Sequence, residues 1–237
     1  MRRLLVVLSV LLLLLLAVDR VGAYVAGRVV AGRLRTSAGL TQDPSVTVTG
    51  FPFLTQAVAG VYDNLELSAT DVNRGGVRLQ QVVASLHGVH LPLSDVLAGS
   101  VKQVPVDGVT ARVVVAYAVV QDRTRTRSLT LRPRGRQVEV TGRLRLLGQQ
   151  VSASATASAS LRGDDLLLTT GDVTVAGVTT SALAGALDVR VPLGRLPYGL
   201  RLMRVTVTPG GLVVTAGSGP TVLNAGSAGT APALTRP

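Results

Sequence analysis

The second half of the chain is constrained most by a period-two alternation of apolar and polar residues. Over residues 138–146, valine and leucine alternate with glutamate, threonine and arginine. Over residues 151–161, valine, alanine and leucine alternate with serine and threonine. Successive side chains of a strand point to opposite faces of a sheet, so this pattern predicts antiparallel strands with one buried and one wet face. Strands this long favour a wide, strongly bent sheet over a compact sandwich.

The same alternation, bounded by turn residues, occurs elsewhere in the chain. It predicts further strands at residues 45–49, 61–72, 77–91 (broken near Gly88), 104–115, 166–176, 187–193, 200–208 and 212–216. The alanines of residues 151–161 leave two alternatives, because methyl groups fill little volume. Either a helix packs tightly against this row, or the row leaves room for a ligand.

Apolar residues at helical spacing predict a long helix over residues 24–40, where Val30 and Leu34 continue a row of small apolar side chains. A short helix is expected from Pro52 to Gly60, and another near residues 94–97 with Ser94 as its cap. A further short helix is predicted near residues 179–185, and residues 116–123 fit a helix or a strand equally well. The expected class is therefore α+β, with an antiparallel sheet and one long helix.

Composition limits the function classes that fit. Apolar residues make up 47% of the 237 positions, but the chain has only two Phe, four Tyr and no Trp, so its core must be aliphatic. The absence of cysteine excludes disulfides, thiolate metal sites and cysteine nucleophiles. The formal charge of +11 suits anionic partners. Phospholipid headgroups fit better than nucleic acid, because single-strand binders stack bases on aromatic side chains.

The N-terminus predicts the compartment. Arg2 and Arg3 precede an apolar run over residues 4–18, and small residues at Gly22 and Ala23 offer a cleavage site. Residues 1–23 therefore form either a cleaved signal peptide or an uncleaved membrane anchor. Both interpretations place residues 24–217 in the periplasmic space or on the outer face of the cytoplasmic membrane. Residues 218–237, rich in Gly, Ser, Ala, Thr and Pro, are expected to form a disordered tail.

Catalytic signatures are missing from the sequence. His87 and His90 lie three apart on a predicted strand, which directs them to opposite faces, and no third metal ligand is placed near them. There is no Gly-x-Ser-x-Gly elbow and no Walker loop. The pair Asp164–Asp165 fits a turn. The sequence therefore predicts a protein that is not an enzyme and has no metal or cofactor.

Arginine is concentrated in one short region. The six residues are Arg123, Arg125, Arg127, Arg132, Arg134 and Arg136. One interpretation is a solvated hairpin tip. The other is a docking patch for anionic headgroups on a membrane surface, where each basic residue contributes about 1 kcal/mol.

Two motifs carry a resemblance to a known family. Residues 46–56 read Val-Thr-Val-Thr-Gly-Phe-Pro-Phe-Leu-Thr-Gln and are followed by Gly-Val-Tyr at 60–62. Near the other end, Leu-Pro at 196–197 and Gly-Leu-Arg-Leu at 199–202 precede Val-Thr-Val-Thr-Pro-Gly-Gly-Leu at 205–212. Over roughly residues 24–217 the chain resembles the actinobacterial lipomannan elongation factor (LmeA-like) family of exported phospholipid-binding proteins.

The resemblance implies a fold similar to tubular lipid-binding domains, in which a highly curved antiparallel sheet wraps a long helix around an acyl-chain cavity. It implies phospholipid, including anionic phosphatidylinositol-type lipid, as the partner, and a role in the cell envelope. The residues expected to line the cavity are Val30, Leu34, Phe51, Phe53, Leu54, Val140, Leu144, Ala153, Ala155 and Ala157. Core packing is an alternative role for the residues at 51–54.

The leading hypothesis is thus a lipid-binding or lipid-transfer protein. One alternative is a membrane-anchored accessory protein that supports an envelope glycosyltransferase without carrying lipid. Another is a hydrolase or transferase acting on lipid-linked sugar, for which the sequence offers no obvious catalytic residue.

Overall fold

A computed structural model describes residues 2–38, 42–74, 77–123, 129–146, 148–194 and 196–224. The helices are α1 (Arg2–Ala38), α2 (Phe53–Ala59), α3 (Leu93–Ala98) and α4 (Tyr117–Arg123), with a 3-10 turn at Pro197–Gly199. The strands are β1 (Ser45–Thr49), β2 (Val61–Arg74), β3 (Val77–His90), β4 (Gln103–Val115), β5 (Thr130–Arg134), β6 (Gln137–Leu146), β7 (Gln149–Arg162), β8 (Asp165–Val175), β9 (Val178–Thr180), β10 (Val189–Pro192), β11 (Arg201–Thr208), β12 (Gly211–Ser218) and β13 (Thr221–Asn224).

These elements form an α+β chain with an N-terminal helix and two open antiparallel sheets. The larger sheet has the strand order β1-β2-β3-β4-β12-β11, with β13 also paired to β4. The other sheet has the order β10-β8-β7-β6-β5, with β9 paired to β8. The expected class is confirmed, and the tubular wrapping of a helix by a sheet remains a prediction.

The chain divides into two compact units. The first unit contains Met1–Thr70, Val83–Thr110 and Ser218–Pro237, and the second unit contains Asp71–Val82 and Ala111–Gly217. Both units are assembled from separated parts of the chain, because the long strands β2, β3 and β4 contribute residues to each of them.

In the first unit, α1 packs on β1 and α2. The helix predicted between Pro52 and Gly60 is confirmed as α2, which ends where Gly60 adopts a left-handed conformation (φ +68°) and donates its N–H to the Gln56 carbonyl. Gly60 also accepts a hydrogen bond from the backbone N–H of Leu91 at 2.7 Å. A side chain at position 60 would press on Pro92, since a Cβ there would lie 3.1 Å from the Pro92 Cα.

In the second unit, strands from both sheets contribute side chains to one mostly aliphatic core cluster. Its fully buried members include Val138, Val140, Ala157 and Leu187. Residues 116–123, ambiguous in sequence, contain helix α4, whose Tyr117 and Val120 enter this cluster. The Tyr117 hydroxyl donates a hydrogen bond to the Thr208 carbonyl at 2.7 Å.

The alanine row of β7 packs against a strand. Ala153, Ala155 and Ala157 are 2%, 6% and 0% exposed. Cα atoms of β11 come within 8 Å of those of β7, closer than the usual spacing of about 10 Å between stacked sheets. Methyl side chains permit this approach, and Val205 and Val207 of β11 pack against the same core cluster as the alanines.

Three sequence predictions need correction. The helix expected near residues 179–185 is wrong, because the left-handed turn at Ala176 and Gly177 returns the chain as strand β9, and residues 181–187 form turns. Ser94 does not cap α3: Pro92 holds the N-cap position, and the Ser94 hydroxyl bonds the Asp95 carboxylate instead. Residues 221–224, expected in the tail, form β13 on the edge of β4.

Two other predictions extend beyond the described residues. The helix expected over residues 24–40 is the C-terminal part of α1, which is continuous from Arg2 to Ala38; residues 39–40 lie outside the described ranges. The same holds for residues 225–237 of the predicted tail.

Candidate functional site

The N-terminal part of α1 is an exposed apolar rod. Leucine and valine side chains between residues 4 and 15 are 51–73% exposed. The one polar side chain in the run is Ser9, whose hydroxyl donates a hydrogen bond to the Leu5 carbonyl at 2.8 Å. By length and composition this helix is able to cross a membrane, a property that anchors and signal sequences share.

The apolar rod ends at a buried carboxylate. Asp19 is 2% exposed, and its Oδ1 accepts a hydrogen bond at 2.9 Å from the backbone N–H of Leu54, in the first turn of α2. The guanidinium of Arg20 lies 3.8 Å from Asp19 Oδ2. A carboxylate at this position accepts one of the N–H groups that the first turn of a helix leaves unpaired.

Glycines allow α1 to lie close to the rest of the first unit. A Cβ at Gly22 would stand 3.3 Å from the Phe53 ring, and a Cβ at Gly27 would stand 2.5 Å from the carbonyl oxygen of Val46. The second distance is too short for any side chain, so the helix can cross β1 at this depth only with glycine at position 27.

The five predicted lipid-contact residues in the first unit occupy different environments. Phe53 is buried beside Tyr62, with ring centroids 6.1 Å apart. Phe51 is 55% exposed, and the Arg20 guanidinium lies 4.9 Å from its ring centroid. Val30, Leu34 and Leu54 are half-buried.

A larger apolar surface in the same unit involves residues that the sequence prediction did not select. Val46 pairs with Leu67 and Val48 pairs with Leu65 across β1 and β2. All four are half-buried, and α1 packs on β1 beside them. We call the set Val30, Leu34, Val46, Val48, Leu65 and Leu67 the half-buried apolar face. The alternation of β1 and β2 signalled these positions, but only the pairing register shows that they share one face.

The five predicted lipid-contact residues in the second unit belong to its packed core. Val140 and Ala157 are fully buried, Ala153 and Ala155 nearly so, and Leu144 packs against the same cluster. An acyl chain could reach these side chains only by displacing their aliphatic neighbours.

The basic region contains three described side chains that face solvent. Arg132, Arg134 and Arg136 are exposed on the hairpin formed by β5 and β6. Arg134 lies 3.9 Å from Glu139 across the hairpin. Arg123 ends α4, but its side chain lies outside the described part of the structure, as do residues Arg125 and Arg127 entirely.

A polar cavity of about 350 Å³ opens on the outer face of the second sheet. Its lining residues are Arg134, Glu139, Ser154, Ala155, Thr156, Gly171, Asp172, Thr174 and Thr179. The hydroxyls of Thr174 and Thr179 bond each other at 2.9 Å. Charged and hydroxyl groups dominate this lining, so it does not suit acyl chains.

Ion pairs and buried phenols are the most constrained titratable groups in the described ranges. Within them, no group of three His, Asp or Glu side chains is placed to hold a metal ion. Asp165 is paired with Arg190 through two hydrogen bonds. Burial raises the pKa of Tyr62 and, against the opposing effect of its bond to Thr208, the pKa of Tyr117, so both phenols stay protonated at neutral pH.

Comparison with known proteins gives one match. A family model described as LmeA-like phospholipid-binding matches residues 17–217, which begin within α1 before Asp19 and end in β12. Searches of curated proteins and of solved structures gave no significant match.

Proposed function

This chain belongs to the LmeA-like phospholipid-binding family, and from that membership we propose that it is an exported protein that holds phospholipid acyl chains in an apolar cavity and transfers lipid in the cell envelope. The family match over residues 17–217 is the observation that carries the proposal. The family description names a binding role, which agrees with a protein that works by holding lipid and not by side-chain catalysis.

The half-buried apolar face is the part of the molecule that we propose contacts the acyl chains. Its side chains keep some exposed area, so a lipid tail gains contact without displacing core residues. Transfer of an acyl chain from water contributes about 0.8 kcal/mol per buried methylene. About 12 buried methylenes would then contribute about 10 kcal/mol before ordering costs, enough to hold one chain.

The exposed arginines of the β5–β6 hairpin, in the second unit, are proposed to dock on anionic headgroups of a membrane surface. Arg132 and Arg136 carry charge at an exposed turn where a lipid phosphate or a membrane surface can approach. This assignment favours anionic phospholipids, including the phosphatidylinositol type.

A transfer assay tests the proposal directly. Residues 17–224 retain Asp19 and β13 while omitting most of the apolar run. We expect this chain to speed the movement of fluorescent phospholipid from donor to acceptor vesicles in proportion to its concentration. Transfer no faster than in vesicles alone would contradict the proposed function.

A matched pair of double variants tests the location of the acyl chains. Val48 and Leu65 face each other on the half-buried apolar face, and the neighbouring pair Thr47 and Glu66 is exposed. V48N/L65N should slow transfer at least tenfold because polar amides replace the proposed lipid contacts, whereas T47N/E66N should leave the rate unchanged. Urea midpoints of both variants separate loss of binding from loss of folding. Equal transfer rates in two folded variants would place the acyl chains elsewhere.

A further inference from the structure

We infer that the N-terminal segment is retained as a membrane anchor, and that its junction with α2 seats Phe51 and Val58 at the bilayer surface. The inference rests on the proposed export of this protein, but its tests read the N-terminus and the depth of single side chains. A failed lipid-transfer assay would therefore leave these tests unaffected, and the reverse also holds.

The predicted cleavage site lies inside a docked helix. Cleavage after Ala23 would remove Asp19, and with it the acceptor that the Leu54 N–H meets at 2.9 Å. It would also remove Gly22, which lies against the Phe53 ring. A signal peptide that is discarded does not need a buried carboxylate that bonds the mature domain.

The docked segment also falls within the part of the chain that the family model matches. The matched region begins at residue 17, six residues before Ala23, and continues without a break into the domain. The close approach of Gly27 to the Val46 carbonyl fixes the same helix on β1 eight residues beyond Asp19. Residues on both sides of the possible cleavage site therefore belong to one packed element.

The apolar run of α1 is shorter than the hydrocarbon core of a membrane. The 15-residue run from 4 to 18, apolar except for Ser9, spans about 22 Å of helix, which is shorter than a hydrocarbon core of about 30 Å. A short span draws its flanking residues into the interface. Asp19 ties the start of α2 to this level, so the surface around α2 meets the headgroups.

The side chains at this level have the character of an interfacial patch. Leu54 and Val58 lie four residues apart on α2, which places their side chains on one side of the helix, and Phe51 lies just before the helix begins. Val58 is 87% exposed and Phe51 is 55% exposed. Exposure of these apolar side chains to water is unfavourable, and a membrane interface would remove it. Arg20 stacks on Phe51, and basic and aromatic residues together are typical of membrane–water boundaries.

The first test reads the N-terminus of the full chain after expression in an actinobacterial host. Intact mass measurement of the protein from the membrane fraction should show a chain that still contains residues 2–23. A mature protein that begins at residue 24 would overturn the inference.

The second test uses the lack of tryptophan in the chain. Single variants F51W and V58W carry the probe in the proposed patch, and V29W carries it on the same unit at an exposed site about 15 Å further along α1 from Asp19. In vesicles of brominated phosphatidylcholine, F51W and V58W should lose at least twice as much fluorescence as V29W. Equal quenching at all three positions would overturn the seating of the patch.

Discussion

At the residue scale, Tyr117 shows how a buried polar group ties two elements together. Its hydroxyl is the donor to the Thr208 carbonyl, which links α4 to the end of β11. We expect Y117F to lower the free energy of unfolding by about 1 kcal/mol, the usual net value of one such bond. Urea denaturation measures the loss. The control is Y24F, because Tyr24 is 62% exposed; equal losses in the two variants would contradict this role.

The same residue predicts a pH dependence. Burial raises the pKa of Tyr117 in the folded chain above the ordinary value of 10.0, so the unfolded chain loses this proton first as pH rises. The contribution of Tyr117 to the free energy of unfolding is therefore fully present below pH 10 and is lost as pH rises through the folded pKa. Between pH 9 and 11 the unfolding midpoint of Y117F should fall less than that of the wild type. Tyr62 contributes a similar effect in both proteins.

At the scale of single elements, β7 depends on the small size of its alanines. Ala157 is fully buried in the core cluster, against which Val205 and Val207 of β11 also pack. A157L should destabilise the protein by about 1–3 kcal/mol, because three additional carbon atoms have no space in a packed core. S158L, on the exposed face of the same strand, should change the melting temperature little. Full tolerance of leucine at position 157 would mean that the row borders free space and not a packed strand.

The β5–β6 hairpin gives an element-scale prediction for membrane binding. R132A/R136A removes two exposed charges near the turn, and R143A/R145A removes two exposed charges toward the opposite end of β6. At about 1 kcal/mol per arginine, the first variant should bind anionic vesicles roughly 30-fold more weakly, and high salt should abolish the difference. Co-sedimentation with vesicles measures both. Equal weakening by the two variants would indicate general charge attraction in place of a docking hairpin.

Local sequence patterns predicted where the strands and helices lie better than they predicted which elements pack against each other. Alternation located β6 and β7 because burial of one face imposes period two on the sequence. The same pattern could not reveal that β11 covers the alanine row, since that contact joins residues about 50 positions apart. The helix expected near residues 179–185 failed because the turn at Ala176 and Gly177, which returns the chain as β9, depends on pairing with β8.

At the scale of the whole molecule, the α+β class followed from the sequence but the division into two units did not. Val30 and Val140, both expected to contact lipid, lie in the first and second unit respectively. Apolar pattern shows that a residue avoids water, and it does not show whether protein atoms or a ligand cover it. The difference between half-buried Val30 and fully buried Val140 appears only in the folded chain.

The central claim is that this family member holds phospholipid, and native mass spectrometry tests it most directly. Residues 17–224, placed behind a cleavable export signal because the truncation removes residues 1–16, should be exported in an actinobacterial host, purified without detergent and measured under native conditions. The predicted result is a dominant species whose mass exceeds that of the protein by one phospholipid, identified by fragmentation. A folded protein that carries only its own mass, and stays so after incubation with phospholipid vesicles, would contradict the account.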